Sequence, residues 1–345
     1  MIPRSPRPRR STRVLLIGAV AASVALAGCS GGEAKVEAEA VPTTIDIAEN
    51  PGGGSFRLLT YNVSGLPAEI SQGHPDINLP VMSPLLNDYD IVFTQEDYDW
   101  WKPDGLASTV DFVNYHGRLR ASVTHEYQSP QHPGPKAVGV DLDERPDLEL
   151  GDGLGILANL PVEGDERVPW TDCFGGFNQD DDGKADCLAM KGFQVAELTL
   201  PNDAVVHLYN LNAEAGTNER DQELQAANFD QLASHILANA KGEAVIVAGH
   251  TNLYLDGTEA ASSDGQDGRI WKAFLDQTGL SDACAAGSCD DGTMLDRVLY
   301  RSGRGVELEA TSQKLRTDRF VDVDGEDLSE NPPVEVGFSW RPAAG

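Results

Sequence analysis

Polar side chains collect where several strand-like hydrophobic runs of this sequence end. Their positions are Asn62, Glu96, Asn210, Asn212, His250, Asn252 and Asp296. Carboxylates and an imidazole can transfer protons, whereas amides can only donate or accept hydrogen bonds. Since these side chains come from five separate segments of the chain, the pattern predicts one polar site assembled from several strand ends.

These side chains belong to an alternating order of strands and helices. Strand-like runs occupy residues 56–62, 91–94, 154–158, 192–200, 205–211, 244–248, 296–301, 306–310 and 334–340. Helical periodicity covers 219–240 and, more weakly, 268–277. One face of the first helix carries Phe229, Leu232, Ala233, Ile236 and Ala240. This order predicts an α/β fold over residues 56–343, built as a two-layer β-sandwich flanked by helices.

The motifs around these strands resemble one known superfamily. The segments concerned are RLLTYNVSGLP, YDIVFTQED, GDGLGILANLP, ADCLAMKGF, VHLYNLNAEAG, AVIVAGHTNLY, LDRVLYRS and LSENPPVEVGF. In this order they resemble the endonuclease/exonuclease/phosphatase superfamily, the deoxyribonuclease-I-like proteins that include bacterial sphingomyelinase. The resemblance implies a deoxyribonuclease-I-like sandwich and metal-dependent hydrolysis of phosphodiesters or phosphomonoesters.

The resemblance also implies roles for four matching residues. Asn62 and Glu96 match the positions that hold a divalent metal, Mg²⁺ or alternatively Mn²⁺, which acts as a Lewis acid on the phosphoryl oxygen. Asn252 matches the last residue of the family's G-D-x-N motif, and Asp296 matches the aspartate before a late strand.

Four other catalytic positions depart from the family. The histidine of N-x-H is Asn212, the aspartate of G-D-x-N is His250, and the aspartate and histidine of S-D-H are Glu330 and Asn331. An amide does not titrate near neutral pH, and lengthening Asp to Glu moves the carboxylate by a methylene. A displacement of about 1 Å can cost on the order of a hundredfold in rate. These replacements predict impaired or lost hydrolysis.

Shifting the alignment by a few residues does not bring another histidine to the positions where the family has one. The seven histidines all lie at or before residue 250, so none can replace Asn331 locally. His207 is five residues before Asn212, and this odd offset places it on the opposite face of a strand. His250 is interpreted either as a ligand for a softer metal such as zinc or manganese, or as a polar filler in a decayed site.

The replacements leave more than one class of function open. The first interpretation is a surface lipoprotein with an impaired hydrolase scaffold. The alternatives are an active sphingomyelinase-like phosphodiesterase with an altered metal centre, and a non-catalytic protein that binds a ligand or partner on the same fold. The expected substrate is a phospholipid or a small phosphate ester. The aromatic stretch 98–101 is either a ligand-contact loop or core.

The N-terminus predicts export and lipid anchoring. Five arginines precede the apolar segment VLLIGAVAASVALAG, and the order Leu26-Ala27-Gly28-Cys29 resembles a bacterial lipobox. We expect residues 1–28 to be a signal peptide, Cys29 to be lipidated at the extracytoplasmic side of the membrane, and residues 29–55 to be a flexible acidic, Gly-rich tether.

The charge of the chain argues against nucleic acid as a partner. The 345 residues carry 26 Lys and Arg against 55 Asp and Glu, a net charge of -29. A generic nucleic-acid binder needs a basic surface that neutralises phosphates, which this balance excludes.

The remaining cysteines and an acidic loop suggest further structure. Cys173, Cys187, Cys284 and Cys289 allow three pairings, and we expect Cys173–Cys187 and Cys284–Cys289 because each pair lies in its own Gly/Asp-rich loop. Residues 178–186 resemble a calcium loop with oxygen ligands, or form a solvated acidic loop. The candidate Ca²⁺ ligands are Asn178, Asp180, Asp182 and Asp186.

Overall fold

The chain folds into two six-stranded sheets. The computed structural model describes residues 50–66, 73–98, 115–132, 134, 138–143, 145–146, 148, 150–176, 183–255, 265–286 and 294–344. The strands are β1 (Gly54–Asn62), β2 (Ile91–Gln95), β3 (Tyr127–Gln128), β4 (Gly155–Ala158), β5 (Val162–Pro169), β6 (Gly192–Thr199), β7 (Val205–Asn212), β8 (Ala244–His250), β9 (Ser281–Asp282), β10 (Asp296–Arg301), β11 (Val306–Leu315) and β12 (Val334–Pro342). The helices are α1 (Pro75–Leu85), α2 (Tyr115–Arg120), α3 (Glu219–Asn239) and α4 (Gln266–Thr278).

Each sheet has a parallel pair of strands near its centre. The first sheet has the order β11-β12-β1-β2-β4-β3, and the second has the order β5-β6-β7-β8-β10-β9. In the first sheet β1 and β2 run parallel, and in the second β7 and β8 do. The carboxyl ends of parallel neighbours meet at one edge, which is where α/β proteins commonly place their ligands.

Three hydrophobic clusters fill the layers. The central one lies between the sheets and includes Phe93, Leu208 and Phe338. A second packs α3 and α4 on the outer face of the second sheet, with Phe229 and Phe274 in contact. The third packs α1 and α2 against the first sheet. The predicted α/β class and helix-flanked two-layer sandwich are confirmed.

Local sequence signals explain the boundaries of the two predicted helices. The side chain of Asn218 accepts a hydrogen bond from the backbone N–H of Asp221 at 2.9 Å, and Asp221 accepts one in return, which forms a capping box at the start of α3. Helix α4 ends at Gly279, whose φ of 68° is a left-handed conformation that glycine adopts without a steric penalty.

Several elements were not predicted. Strands β3 and β9 are two residues long, which is too short to show a period. Helix α1 contains Pro80 and Pro84, which are unfavourable inside helices and interrupt the periodic pattern. Strand β11 is longer than expected because pairing with β12 resumes beyond a bulge between Ala310 and Ser312.

The part of the chain within Thr44–Gly345 forms one compact unit. Among the described residues, no helix is both long and apolar enough to cross a membrane. The predicted signal peptide 1–28, Cys29 and most of the tether 29–55 lie outside the described residues.

Candidate active site

The parallel pair β1–β2 places Asn62 beside Glu96. The Asn62 Nδ2 atom donates to Glu96 Oε1 at 2.9 Å, and Asn62 Oδ1 accepts from the backbone N–H of Ser64 at 3.0 Å. Asn62 is fully buried, whereas Glu96 is partly exposed. Two predicted metal ligands, 34 residues apart in sequence, are therefore held in contact at one strand edge.

The backbone is unusual at three residues that follow strands of the two sheets. Ser64, Glu96 and Asn252 have φ values of 49°, 56° and 53°, in the left-handed region that residues other than glycine rarely adopt. Gly65 approaches so closely that a Cβ atom there would lie 2.1 Å from the carbonyl oxygen of Glu96. Such conformations are retained where surrounding structure enforces them, and they concentrate at functional sites.

The Asn62–Glu96 pair fits a magnesium ion. Its donors are an amide and a carboxylate, both oxygen ligands, and Mg²⁺ typically binds one or two carboxylates while keeping water and substrate oxygens. In the part of the chain that the structure describes, no cluster of three or more His, Cys, Asp or Glu side chains could hold a metal. By the chemistry of its donors, the Asn62–Glu96 pair therefore suits a hard ion such as Mg²⁺.

Three polar residues form a row across the second sheet, which we call the His250 row: Asn212, His250 and Asp296. Asn212 on β7 pairs in register with His250 on β8, and His250 pairs with Asp296 on β10. The His250 Nδ1 atom lies 3.1 Å from Asp296 Oδ2, and the two residues are 5% and 1% exposed. Strand register thus joins residues that are up to 84 positions apart in the sequence.

The electrostatic environment favours a charged imidazole at His250. Burial alone would lower its pKa, but the carboxylates of Asp296 and Glu96 outweigh burial and the opposing charge of Lys191, so the pKa of His250 is raised above its ordinary value. Strands β1 and β2 contact β8 across the sandwich, so the edge of the first sheet lies beside the His250 row.

The side chain of Asn212 differs from the rest of the His250 row in its hydrogen bonding. The residue is fully buried, and neither Oδ1 nor Nδ2 has a hydrogen-bond partner among the residues that the structure describes. Its carbonyl oxygen accepts from Trp170 Nε1 at 2.7 Å, which holds the backbone in place. Buried polar atoms are almost always paired in folded proteins, so this amide calls for a further partner such as water.

The remaining motif residues lie around this centre. Asn252 Nδ2 donates to the carbonyl oxygen of Ala213 at 2.9 Å. Ser329 Oγ donates to the carbonyl oxygen of Asn62 at 2.7 Å, and Asn331 Nδ2 donates to Ser64 Oγ at 3.2 Å. Glu330 is exposed and lines a cleft with Ser64 and Ser329.

Two residues of this region were missed in the sequence. His74, at the start of α1, lines the same cleft as Glu330, although they are 256 positions apart. Lys191 precedes β6, is 8% exposed, pairs with Asp186 and donates to the carbonyl oxygen of Ala213 at 3.2 Å. A lone lysine inside the hydrophobic stretch LAMKGF was the available signal for Lys191. No local signal marks His74.

Other predicted residues have mixed outcomes. The Cys173–Cys187 disulfide is present, with Cα atoms 5.2 Å apart. Cys284 is disulfide-bonded, while its expected partner Cys289 lies outside the described residues.

The calcium loop and the aromatic stretch are described only in part. Asp186 pairs with Lys191, and the other three expected calcium ligands, Asn178, Asp180 and Asp182, lie outside the described residues, so the loop stays a prediction. In the stretch 98–101 only Tyr98 is described, and it is buried with Leu150 and Ala189. His207 lies on β7 between Val206 and Leu208, which belong to the inter-sheet core, so alternation places it on the opposite face, as predicted. Its Nδ1 atom lies 3.7 Å from Glu197 Oε1.

Solved structures with the same architecture identify the fold. A Beutenbergia cavernae endonuclease/exonuclease/phosphatase aligns with a TM-score of 0.56 and 14% identity over 84% of this chain and 72% of that one. A Staphylococcus aureus beta toxin variant with bound magnesium ions aligns with a TM-score of 0.55 and 14% identity over 82% and 99%. This chain has the deoxyribonuclease-I-like fold that these structures share.

The curated relatives that this sequence matches include proteins named sphingomyelinase. Proteins named sphingomyelinase from Mycobacterium bovis and Mycobacterium tuberculosis are 29% identical over 298 residues, which is 83% of this chain and 53% of theirs. The chain thus spans about half the length of these relatives. The sphingomyelinase C of Streptomyces griseocarneus aligns structurally with a TM-score of 0.52 and 19% identity over 82% and 99%. No protein-family model matches the chain.

Proposed function

We propose that this chain is a metal-dependent phosphoric-ester hydrolase of the sphingomyelinase type in which hydrolysis is impaired or lost. One contrast within the site carries the proposal. The Asn62–Glu96 contact expected at the metal is intact at 2.9 Å, whereas amides stand at Asn212 and Asn331, where the superfamily has histidines. The site therefore retains groups for holding a metal and a phosphate, and has lost two groups that transfer protons.

In this proposal the described residues bind the metal and the phosphate, and they fix the loop beside them. Asn62 and Glu96 would hold the metal, which when bound supplies a Lewis acid for a phosphoryl oxygen. The unpartnered amide of Asn212 can donate to a phosphate oxygen. Asn331 is held by Ser64, and Ser329 ties the same loop to β1, so this loop closes one side of the site.

The substrate in this proposal is a phospholipid or a small phosphate ester. The relatives named sphingomyelinase support a phospholipid, and the net charge of -29 disfavours a polyanion such as nucleic acid. The proposal also includes export, lipid anchoring at Cys29 and a Ca²⁺ ion at residues 178–186, all supported by sequence patterns. The mass of the N-terminal peptide from purified protein tests the lipid.

Hydrolysis of bis(p-nitrophenyl) phosphate and sphingomyelin by the full chain, with Mg²⁺ or Mn²⁺, tests the proposal. The native protein is compared with a variant in which Asn212→His, His250→Asp, Glu330→Asp and Asn331→His are combined. We expect slow or no turnover by the native protein and faster turnover by the variant, because general acid–base catalysis contributes about 10²–10⁴-fold.

A metal-ligand variant provides the matched control. Glu96→Ala should abolish turnover and weaken calorimetric Mg²⁺ binding in both backgrounds, whereas Glu223→Ala, on the exposed face of α3, should change neither. Turnover that survives Glu96→Ala, or a native rate above that of the four-residue variant, contradicts the proposal. Inactivity of both proteins together with no Glu96-dependent Mg²⁺ binding also contradicts it.

A further inference from the structure

His250 and Asp296 form a buried imidazole–carboxylate pair at a place where the superfamily has two carboxylates. The resemblance places an aspartate at residue 250 and the histidine at residue 331, yet here the imidazole comes from β8 and contacts Asp296 at 3.1 Å. We propose that His250, oriented by Asp296, is the catalytic residue that accepts the proton of the attacking water. This inference rests on the proposed function, because it assigns the proton transfer in whatever hydrolysis remains.

The hydrogen bond to Asp296 determines which ring nitrogen is available. A carboxylate only accepts hydrogen bonds, so Nδ1 of the neutral ring carries the hydrogen and Nε2 carries the lone pair. The same arrangement orients the histidine of serine hydrolases, where a buried aspartate selects the tautomer. Both residues are almost completely buried, so the pair is also rigid.

The surrounding charges keep the ring basic. Asp296 on β10 and Glu96 at the end of β2 favour the protonated ring, Lys191 before β6 opposes it, and Asn212 on β7 is uncharged. The ring must be neutral to accept a proton. Catalysis through His250 should therefore increase as the pH rises through the pKa of the ring in the metal-loaded protein.

The proton transfer balances without a further reactant. The water oxygen forms a bond to phosphorus while its proton moves to His250 Nε2, and the ester P–O bond breaks with its electron pair going to the leaving oxygen. Asn212 and Asn331 cannot protonate that oxygen, because amides are not acids in this range. The leaving group then departs as an anion and takes its proton from solvent, which favours esters of acidic alcohols or phenols.

The tautomer can be observed without any turnover. Nitrogen NMR of the metal-free protein should show His250 protonated at Nδ1, with a pKa above 6.5 that falls in Asp296→Asn. A ring protonated at Nε2 in the neutral form, or a pKa unaffected by Asp296→Asn, overturns the proposal.

Two variants of His250 test proton transfer, because each keeps a polar atom of the ring and removes the group that titrates. Asn can keep a donor near the Nδ1 position, and Gln can keep a polar atom near the Nε2 position, but neither titrates. Both His250→Asn and His250→Gln should lower kcat for bis(p-nitrophenyl) phosphate by about 100-fold and remove the rise with pH. His207→Gln, on the same sheet 3.7 Å from Glu197, should change neither quantity.

The dependence of the rate on the leaving group tests whether the leaving oxygen departs without a general acid. Native protein should hydrolyse bis(p-nitrophenyl) phosphate about 100-fold or more faster than diphenyl phosphate, because a general acid is worth about 10²–10⁴-fold for the poorer leaving group. Adding Asn212→His should reduce this ratio. An equal rate on both esters in the native protein overturns the assignment.

Failure of this inference can be told from failure of the proposed function. Turnover that depends on Glu96 but persists in His250→Asn overturns only the inference. An inert native protein with an active four-residue variant also overturns the inference, while the proposed function stands in its form without hydrolysis. If neither protein turns over and Mg²⁺ binding does not depend on Glu96, both are wrong.

Discussion

Glu214 is a buried carboxyl group that the proposed chemistry does not use. It lies two residues beyond Asn212 and is 1% exposed. Its Oε1 atom accepts from the backbone N–H of Phe174 at 2.7 Å, while Oε2 has no partner within the described part of the chain. Burial and the nearby carboxylate of Asp186 raise the pKa of Glu214 to about 9. The group is therefore neutral at physiological pH, and Lys191 is left to pair with Asp186.

This raised pKa predicts a loss of stability with increasing pH. The unfolded chain releases the Glu214 proton near pH 4.5 and the folded chain holds it to about 9, so the stabilisation present below pH 4.5 is lost progressively up to pH 9. Glu214→Gln removes this linkage and keeps an acceptor for Phe174. We expect its unfolding free energy, relative to the native chain, to increase by at least about 1 kcal/mol between pH 5 and pH 9.

Urea unfolding at several pH values measures this difference. Glu223→Gln on α3 is the control, because that side chain is 60% exposed in its ion pair with Arg220. A pH-independent difference between native protein and Glu214→Gln would show that Glu214 is ionised in the folded chain.

At the scale of elements, α2 holds the end of β2. Asp97, next to Glu96, contacts His116 Nδ1 at 3.1 Å and Arg120 Nη2 at 3.0 Å, and these two residues are one helical turn apart on α2. The Asp97 backbone N–H donates to the carbonyl oxygen of Gly153 at 2.9 Å. Burial alone would raise the pKa of Asp97, but His116 and Arg120 lower it to about 2. The helix thus fixes the backbone that presents Glu96.

The contacts of Asp97 with His116 and Arg120 predict that the stability of the fold is sensitive to acid. Because the folded pKa of Asp97 is below its unfolded value, its stabilising effect is present above pH 4 and is lost as the pH falls through about 2. The difference in unfolding free energy between native protein and Asp97→Asn should shrink by about 2 kcal/mol over this interval.

Acid titration of circular dichroism in urea measures the effect of Asp97. Asp276→Asn, whose partner Lys272 is 74% exposed, is the control and should follow the native curve. If the two variants behave alike, α2 does not anchor β2 through Asp97.

At the scale of the whole molecule, a buried polar bridge joins the sheets beneath the site. Gln95 Nε2 donates to Asn210 Oδ1 at 2.7 Å, and Asn210 Nδ2 donates to the carbonyl oxygens of Thr94 and Gly155, each at 3.0 Å. Gln95 and Asn210 are fully buried, so slippage of one sheet against the other would leave unpaired polar groups at a cost of about 1–3 kcal/mol each. The bridge aligns the Asn62–Glu96 pair with the His250 row.

The molecule's net charge of -29 should slow the approach of an anionic substrate. With Mg²⁺ saturating, kcat/KM for bis(p-nitrophenyl) phosphate should rise on the order of a few-fold between 20 and 200 mM KCl, because salt screens the repulsion. The native chain, or the four-residue variant if the native chain is inert, is assayed, and an uncharged phosphotriester is the control. A decrease with salt would indicate a locally basic entrance to the site.

Local patterns explain which parts of the architecture could be predicted. Strand runs such as 244–248 and the apolar face of α3 reflect interactions within a few residues, and the order of the motifs identified the fold. Short edge strands, the proline-containing α1 and the bulge in β11 depend on pairing with distant segments. The replacement of the family's histidines by Asn212 and Asn331 could also be read from the sequence alone.

The sequence by itself determined the fold class, the residue types at each candidate site position and the net charge. Only the tertiary structure decided which side chains meet. The contact of His250 with Asp296, the burial of Lys191 beside Asp186 and the place of His74 in the cleft with Glu330 follow from strand register and loop packing. These contacts join residues that are between 5 and 256 positions apart, and no local period encodes them.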